Sequence, residues 1–267
     1  MAAALSIDRA IRWAQGFARA EWRLLAPVAL AFLGLPALVF QLALPDDMGT
    51  VAELLASDDP RVSLLTALSA PLLVCTLFGF TAIATLATAP AISVSEALSR
   101  AARRFPAILL SGLALAFVIV GLFLILAFVL AGIAIAGGGA ALVQPLSLAA
   151  VVAVAAVTMA RLTPFVPLMA DRPLGPVDGL QASWRMTRTR FWRLLAFALL
   201  FLVLAQVIGF AINAAIGTVL LMAGRLLGAA RMAMALIAVV SALIGAIINT
   251  GYILIATGIY RQLAGRD

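Results

Sequence analysis

The sequence GPVDGLQASWRMTRTRFWRLL occupies residues 175–195 and continues without a break into a long apolar run. It is strongly basic and amphipathic, so it predicts a surface helix that leads into a membrane span. The same pattern occurs at residues 6–25. There, an acidic start and the tetrapeptide WRLL stand at a constant offset from their counterparts in residues 176–195. The chain is therefore predicted to use this unit more than once.

A weaker third copy spans residues 95–109, where Ser93 and Glu96 predict a capping box at the helix start. The second and sixth predicted spans, which are the return spans of the first and last copies, also resemble each other, at residues 79–85 and 251–257. These matches predict three repeats within a single membrane domain, 1–267. The repeats are about 5–92, about 93–170 and about 175–261.

The composition predicts an integral membrane protein. Hydrophobic residues make up 65% of the 267 residues and charged residues only 11%, which is more apolar surface than a soluble domain of this length buries. The predicted fold class is all-α, with six transmembrane helices arranged as three repeats of a surface amphipathic helix plus a transmembrane hairpin. Three units of one orientation predict a bundle with rough threefold symmetry. The spans are predicted at 24–44, 62–89, 107–136, 146–170, 194–223 and 232–259.

The arginines predict the orientation. All 18 basic residues are arginines, and only three of them lie in the loops between the outer ends of the spans. Fourteen lie in four segments that adjoin the inner ends: 1–23, 93–106, 171–193 and 260–267. Positive charge collects on the cytoplasmic side of a membrane protein, so both termini and the three amphipathic segments are expected in the cytoplasm. The expected location is the bacterial inner membrane.

The acidic residues give no sign of catalysis. All 11 lie outside the six apolar runs, and the chain contains no histidine and a single cysteine, Cys75. Proton-coupled pumps and many transporters use carboxylates or histidines within the membrane, and hydrolase triads need histidine. No catalytic residue, metal site or cofactor is therefore predicted, and the protein is not expected to be an enzyme. Asp46, Asp47, Asp58 and Asp59 have the oxygen ligands for a divalent cation, but a solvated loop is the preferred interpretation.

One set of candidate binding residues adjoins the spans. Arginines and tryptophans at the membrane surface attract anionic phospholipid headgroups, by about 1 kcal/mol per positive charge. The alternative is that the arginines fix the topology and bind nothing. Nucleic acid is not an expected partner, because no nucleic-acid motif accompanies them. The candidates are Arg185, Arg188, Arg190, Arg193, Trp184, Trp192, Arg103, Arg104, Arg12 and Arg19.

A second set of candidates lies within the predicted spans: Arg161, Gln206 and Asn249. At ~1.5 Å per residue these lie roughly 14, 18 and 15 Å from the inner ends of their spans, a common depth at which they could share one polar pocket. Such a pocket would accept a lipid headgroup or an anionic solute. In the alternative, Gln206 and Asn249 form hydrogen bonds between helices and Arg161 extends to the inner interface.

Residues 161–195 also resemble a known family. Residues 182–188 (ASWRMTR) and 191–195 (FWRLL), with RLTP at 161–164, resemble the signature of the glycerophosphoryl diester phosphodiesterase membrane-domain family and related uncharacterised bacterial six-span membrane proteins. Met186 stands where leucine is usual, and Thr189-Arg190 where Gly-Asn or Gly-Arg is common. The resemblance implies the membrane architecture and a partner among lipid-related enzymes. The phosphodiesterase itself is a separate soluble barrel, so no catalytic residue is implied.

Two functions are compatible with these features. The first is a nonenzymatic inner-membrane protein with basic cytoplasmic surface helices, serving as a lipid-contacting scaffold, accessory or lipid-handling component. Its partners would be anionic membrane phospholipids and a membrane or lipid-enzyme protein. The alternative is a small membrane facilitator or channel with a polar inner-leaflet pocket.

Overall fold

The computed structural model describes residues 5–43, 60–89, 92–133 and 139–265. Almost all of these residues are helical, and no strand occurs among them. Lipid offers the backbone no hydrogen-bonding partner, so long apolar runs satisfy their amides within helices. The helices are α1 (Ile7–Ala29), α2 (Leu35–Ala43), α3 (Pro60–Thr88), α4 (Val94–Ile133), α5 (Gly139–Leu162), α6 (Phe165–Asp171), α7 (Pro176–Thr187), α8 (Phe191–Leu226) and α9 (Ala230–Leu263).

Six helical stretches in these ranges are long and apolar enough to cross a membrane. They are Ile7–Ala43, Thr66–Thr88, Val94–Gly132, Pro145–Asp171, Pro176–Leu226 and Arg231–Leu263. The prediction of an all-α, multi-pass membrane protein is thus confirmed. The four aspartates of the acidic loop lie outside the described residues.

The first span is an irregular helix. Ser6 caps its start, where the side chain accepts a hydrogen bond from the Arg9 amide. The backbone leaves helical geometry at Glu21 (φ −113°, ψ 19°), and a π-helical segment, Leu30–Gly34, joins α1 to α2. Pro27 precedes that segment by one turn and has no amide hydrogen, so the regular hydrogen-bond ladder is interrupted there.

The basic segment before the third span is not a separate helix. α4 runs for 40 residues and contains both the predicted surface helix and the predicted span. Ser93 caps it as predicted, since its hydroxyl accepts a hydrogen bond from the Glu96 amide at 3.2 Å. The Glu96 carboxylate instead pairs with Arg100 at 2.6 Å. The cap therefore forms on one side only.

The predicted fourth span is divided into two helices. α5 ends at Leu162, Thr163 and Pro164 form a turn, and α6 follows. Five of the seven residues of α6 are buried by the rest of the protein. The sequence predicted a kink at this proline, whereas the structure ends one helix and starts another.

The third basic segment is separated from its span by a single turn. A 3-10 segment, Arg188–Arg190, joins α7 to α8. The backbone of Arg190 (φ −125°, ψ 18°) departs from helical geometry much as Glu21 does.

Neighbouring spans pack against one another, and the first packs against the last. α2 packs against α3, α3 against α4, α4 against α5, α5 against α8, α8 against α9, and α9 against α1. α3 and α9 also pack against each other, and α6 packs against both. The helices that end the three predicted repeats therefore contact one another.

The chain ends meet at the arginine-rich end of the bundle. The Ser6 amide donates to Gln262 Oε1 and Gln262 Nε2 donates to the Ser6 carbonyl, both at 2.9 Å. Nearby, Gly258 of α9 lies so close to α1 that an added Cβ would be 3.0 Å from the Ala10 carbonyl oxygen. A glycine permits this close helix approach.

Most of the buried residues lie near this end. Residues 81–87 of α3 are buried, as are Leu194 of α8 and Ile259 of α9. At the other end, Phe117 and Phe128 of α4 are 84% and 86% exposed. The described residues thus pack tightly where the basic segments lie, while large apolar side chains are exposed farther from that end.

Candidate functional site

Arg104 has a partner within the protein. Its Nη1 donates to the carbonyl oxygens of Met169 and Ala170, at 3.1 and 2.7 Å. These carbonyls belong to the last turn of α6, where a helix has no amide partners of its own and carries the negative end of its dipole. Arg104 therefore holds α6 against α4.

Three other candidate arginines are also engaged. Arg193 donates to the Leu5 carbonyl oxygen at 3.3 Å and so ties the first described residue to α8. Arg12 pairs with Asp8 at 2.6 Å, one helical turn away and well exposed. Arg190 is half-buried and has a partner as well.

Four candidate arginines are exposed and form no ion pair in the part of the chain that the structure describes: Arg19, Arg103, Arg185 and Arg188. Trp184 and Trp192 lie beside them and are 53% and 78% exposed. Trp22 near the end of the first basic segment is 59% exposed. Exposed tryptophan next to arginine is typical of the headgroup level of a membrane. The structure thus leaves one end of the bundle with unpaired positive charge.

Arg161 is surrounded by residues of the basic segment. It is the second-last residue of α5, and its guanidinium carbon lies 4.5 Å from the ring centroid of Trp184 and 4.3 Å from that of Phe191. Nη1 donates to Thr187 Oγ1 at a long 3.4 Å, and Nε is buried without a partner. Stacking on aromatic rings stabilises such a cation by about 0.5–2 kcal/mol. The two rings therefore stabilise the Arg161 guanidinium.

Two buried hydroxyls position α7 beside Arg161. Ser111 of α4 donates to the Pro176 carbonyl oxygen at 2.9 Å, and Ser183 of α7 donates to the Arg161 carbonyl oxygen at 2.7 Å. The break after Leu162 places the Arg161 carbonyl in the last turn of α5, where carbonyls lack helical partners. Each end of α7 is therefore fixed to a different span.

Gln206 and Asn249 do not join Arg161. Both are exposed, and the Asn249 amide donates to the Gly245 carbonyl oxygen of its own helix at 2.8 Å. A polar contact between α8 and α9 comes instead from Asn213, which accepts a hydrogen bond from Ser241. The common depth was calculated for a span continuous to residue 170, but α5 ends at Leu162. Arg161 therefore lies at the end of its helix, against α7 and α8.

An apolar groove starts at Arg161, and we call it the Arg161 groove. It lies between α4 and α5, has a volume of about 340 Å³ and is lined by Ile119, Val154, Val157 and Trp184 among others. A second groove of about 390 Å³ lies between α1 and α9 and ends at Trp22. The second groove has no charged residue in its lining.

The carboxylates do not form a metal site within the described ranges, where no cluster of three or more metal-ligating residues occurs. Asp171 accepts a hydrogen bond from the Tyr260 hydroxyl at 2.6 Å and lies 3.8 Å from Arg172. Its oxygens thus serve to link α6 to α9.

A known family domain matches almost the whole of this chain. Residues 5–263 match the family described as Domain of unknown function (DUF7847). The chain belongs to the DUF7847 family. No curated protein and no solved structure matches it. The DUF7847 match does not name a glycerophosphoryl diester phosphodiesterase membrane domain, so that finer resemblance stays a prediction.

Two hydroxyl groups of α7 that pack beside Arg161 were missed in the sequence analysis of this DUF7847 chain. Ser183 and Thr187 are fully buried, and four residues apart they share a helix face. The exposed Arg185 and Arg188 lie on other faces of the same segment. A helical wheel of residues 176–190 carries this signal, because it separates a hydroxyl face from a guanidinium face.

Proposed function

We propose that this DUF7847 chain is a nonenzymatic membrane protein whose arginine-rich end contacts anionic phospholipids. It would serve as a scaffold, accessory subunit or lipid-handling component. One observation carries the proposal: Arg19, Arg103, Arg185 and Arg188 are exposed and form no ion pair within the described ranges. Arginine suits this role because its planar group donates two parallel hydrogen bonds to a phosphate.

The proposed orientation places this end in the cytoplasm, in the bacterial inner membrane. The supporting observation is the concentration of 14 of the 18 arginines in the four segments that meet here. The reciprocal Ser6–Gln262 hydrogen bonds support it as well, because they hold both chain ends on the same side. An even number of crossings follows from that pairing.

The proposed internal organisation is three repeats of a basic segment and a helical hairpin. In support, the backbone departs from helical geometry at Glu21 and at Arg190, within one residue of equivalent positions in the first and third units. Thr85 and Thr257 are also equivalent, fully buried and bonded to the carbonyl four residues before them. α3, α6 and α9, which end the three units, pack against one another.

Lipid titration tests the function. Phosphatidylglycerol is added to the purified protein in detergent and the bound lipid is counted by native mass spectrometry. The variant Arg185→Gln/Arg188→Gln is expected to bind roughly thirtyfold more weakly, at about 1 kcal/mol per charge. Arg225→Gln/Arg231→Gln removes the same charge from exposed positions at the opposite end and should bind like the unaltered protein. Equal binding by both variants would contradict the proposal.

A facilitator or channel remains the alternative hypothesis, with less support. It requires Arg161, Gln206 and Asn249 to line one path, and the last two are exposed on other helices. Anion flux in proteoliposomes that Arg161→Ala abolishes would favour this alternative, and absent flux would remove it.

A further inference from the structure

The Arg161 groove differs from the second groove, between α1 and α9, in having one charge at its end. Both have similar volumes, about 340 and 390 Å³, and both end at a tryptophan. Only the Arg161 groove has a cation in its lining. An apolar channel alone accepts any hydrocarbon, whereas a cation at its mouth selects a chain that carries a negative head.

The Arg161 guanidinium has donors to spare. Among the described residues it forms no ion pair and makes one hydrogen bond, the 3.4 Å contact with Thr187. Nε is enclosed without a partner, and the two aromatic rings beside the guanidinium, Trp184 and Phe191, offer no oxygen or carboxylate to its N–H groups. A partly buried cation with unfilled donors is costly, so an anionic group at its edge would stabilise it.

The groove has the direction and length of a lipid chain. It follows α5 from Arg161 to Ala153, a rise of ~12 Å at 1.5 Å per residue. One leaflet of the hydrocarbon core is about 15 Å deep, half of the bilayer core. Trp184 marks the headgroup level at the arginine end. A chain in the groove would thus cross most of the leaflet whose headgroups Arg161 contacts.

We propose that the Arg161 groove binds one acyl chain of an anionic phospholipid, with the phosphate on the N–H edge of Arg161. The site rests on the proposed function and deepens it, since it holds a single lipid in a fixed place whereas the exposed arginines attract the membrane surface. The charge of Arg161 selects an anionic headgroup, and the apolar residues of α4 and α5 that line the groove hold the acyl chain.

Photocrosslinking tests the site. Phosphatidylglycerol with a diazirine in its acyl chain is incorporated into nanodiscs with the unaltered protein and illuminated, and the adducts are mapped by peptide mass spectrometry. Adducts on residues 115–122 and 153–162 are expected, at several times the yield obtained with phosphatidylcholine of the same chains. Adducts spread evenly over all lipid-facing helices, or equal yields from both lipids, would overturn the proposal.

Variants separate the site from the basic surface. Arg161→Gln is expected to lower the yield of groove adducts roughly tenfold or more, as for loss of a charged hydrogen bond. Val157→Phe fills the groove, leaves Arg161 in place and should lower the yield as well, and Ile247→Phe in the second groove is its matched control. Circular dichroism establishes that each variant is folded.

The basic-surface proposal and the groove proposal can fail separately. Groove adducts that persist in folded Arg161→Gln and Val157→Phe overturn the lipid site while leaving the basic surface intact. If Arg185→Gln/Arg188→Gln binds lipid normally and the groove adducts still depend on Arg161, the surface proposal fails and the groove stands. Groove adducts that Arg161→Gln abolishes and folded Val157→Phe leaves unchanged would show an anion site without a chain site, which also contradicts the groove.

Discussion

Adjacent arginines in this protein have different physical roles. Arg104 donates two hydrogen bonds to the end of α6, whereas Arg103 is exposed and forms no ion pair within the described ranges. The sequence placed both in one group, because their charge and their distance from the span are the same. Only the position of α6, which depends on tertiary packing, makes Arg104 a helix cap and leaves Arg103 exposed.

Arg104→Gln is expected to lower the free energy of unfolding by about 1.5–3 kcal/mol, since hydrogen bonds from a charged donor are lost and carbonyls stay unpaired. Thermal unfolding in detergent measures the change. Arg103→Gln removes the same charge one residue away and should change stability by less than about 0.5 kcal/mol. Equal effects of the two substitutions would show that Arg104 is not a cap.

Two glycines of α9 give a second residue-scale comparison. A Cβ at Gly258 would lie 3.0 Å from the Ala10 carbonyl oxygen and 3.1 Å from its Cα, both backbone atoms, whereas a Cβ at Gly251 meets nothing within 4 Å. Gly258→Ala should therefore cost about 1–3 kcal/mol by forcing α1 and α9 apart. Gly251→Ala should be neutral or slightly stabilising, because alanine favours a helix. Thermal unfolding that ranks the two variants in the opposite order would contradict this packing.

At the scale of elements, the lipid environment made the helices predictable. Apolar runs of more than 20 residues must be helical in a membrane, so the number and order of the spans could be read from the sequence. The separation of α5 from α6 and the docking of α7 could not. The docking of α7 depends on Ser111 and Ser183 meeting carbonyls that lie 65 and 22 residues away in the chain. A hydroxyl face can be read from a helical wheel, but the distant carbonyl that each hydroxyl meets cannot.

The docking of α7 should depend on one of those hydroxyls. Ser183→Ala leaves the Arg161 carbonyl oxygen without this partner in a part-buried place and is expected to cost about 1–3 kcal/mol. The expected readout is a lower unfolding temperature in detergent together with faster cleavage by trypsin at Arg185 and Arg188. Thr189→Ala, at an exposed position in the same segment, is the control. Unchanged cleavage in Ser183→Ala would mean that this bond does not hold α7.

At the scale of the whole molecule, the two ends of the bundle are built differently. The arginine-rich end contains the Ser6–Gln262 hydrogen bonds, buried threonines and the capped starts of α1 and α4, while the halves of α4 and α8 farther from it expose large apolar side chains such as Phe117 and Phe210. The proposed function uses this polarity, because a basic end that faces the cytoplasmic leaflet meets anionic headgroups. The sequence predicted that positive charge collects at one end of the bundle. It did not predict that the buried residues collect at the same end, since burial depends on which helices meet.

Cysteine labelling tests this orientation most directly. Cys75 is the single cysteine of the chain, so Cys75→Ala provides a background without thiols. Thr189→Cys then introduces a thiol at the arginine-rich end, and Leu227→Cys introduces one in the turn between α8 and α9, where Leu227 is 79% exposed. A membrane-impermeant maleimide should label Leu227→Cys in intact spheroplasts and label Thr189→Cys only after lysis. Labelling of Thr189→Cys in intact spheroplasts, with Leu227→Cys protected, would place the basic end outside and contradict the proposed lipid contact.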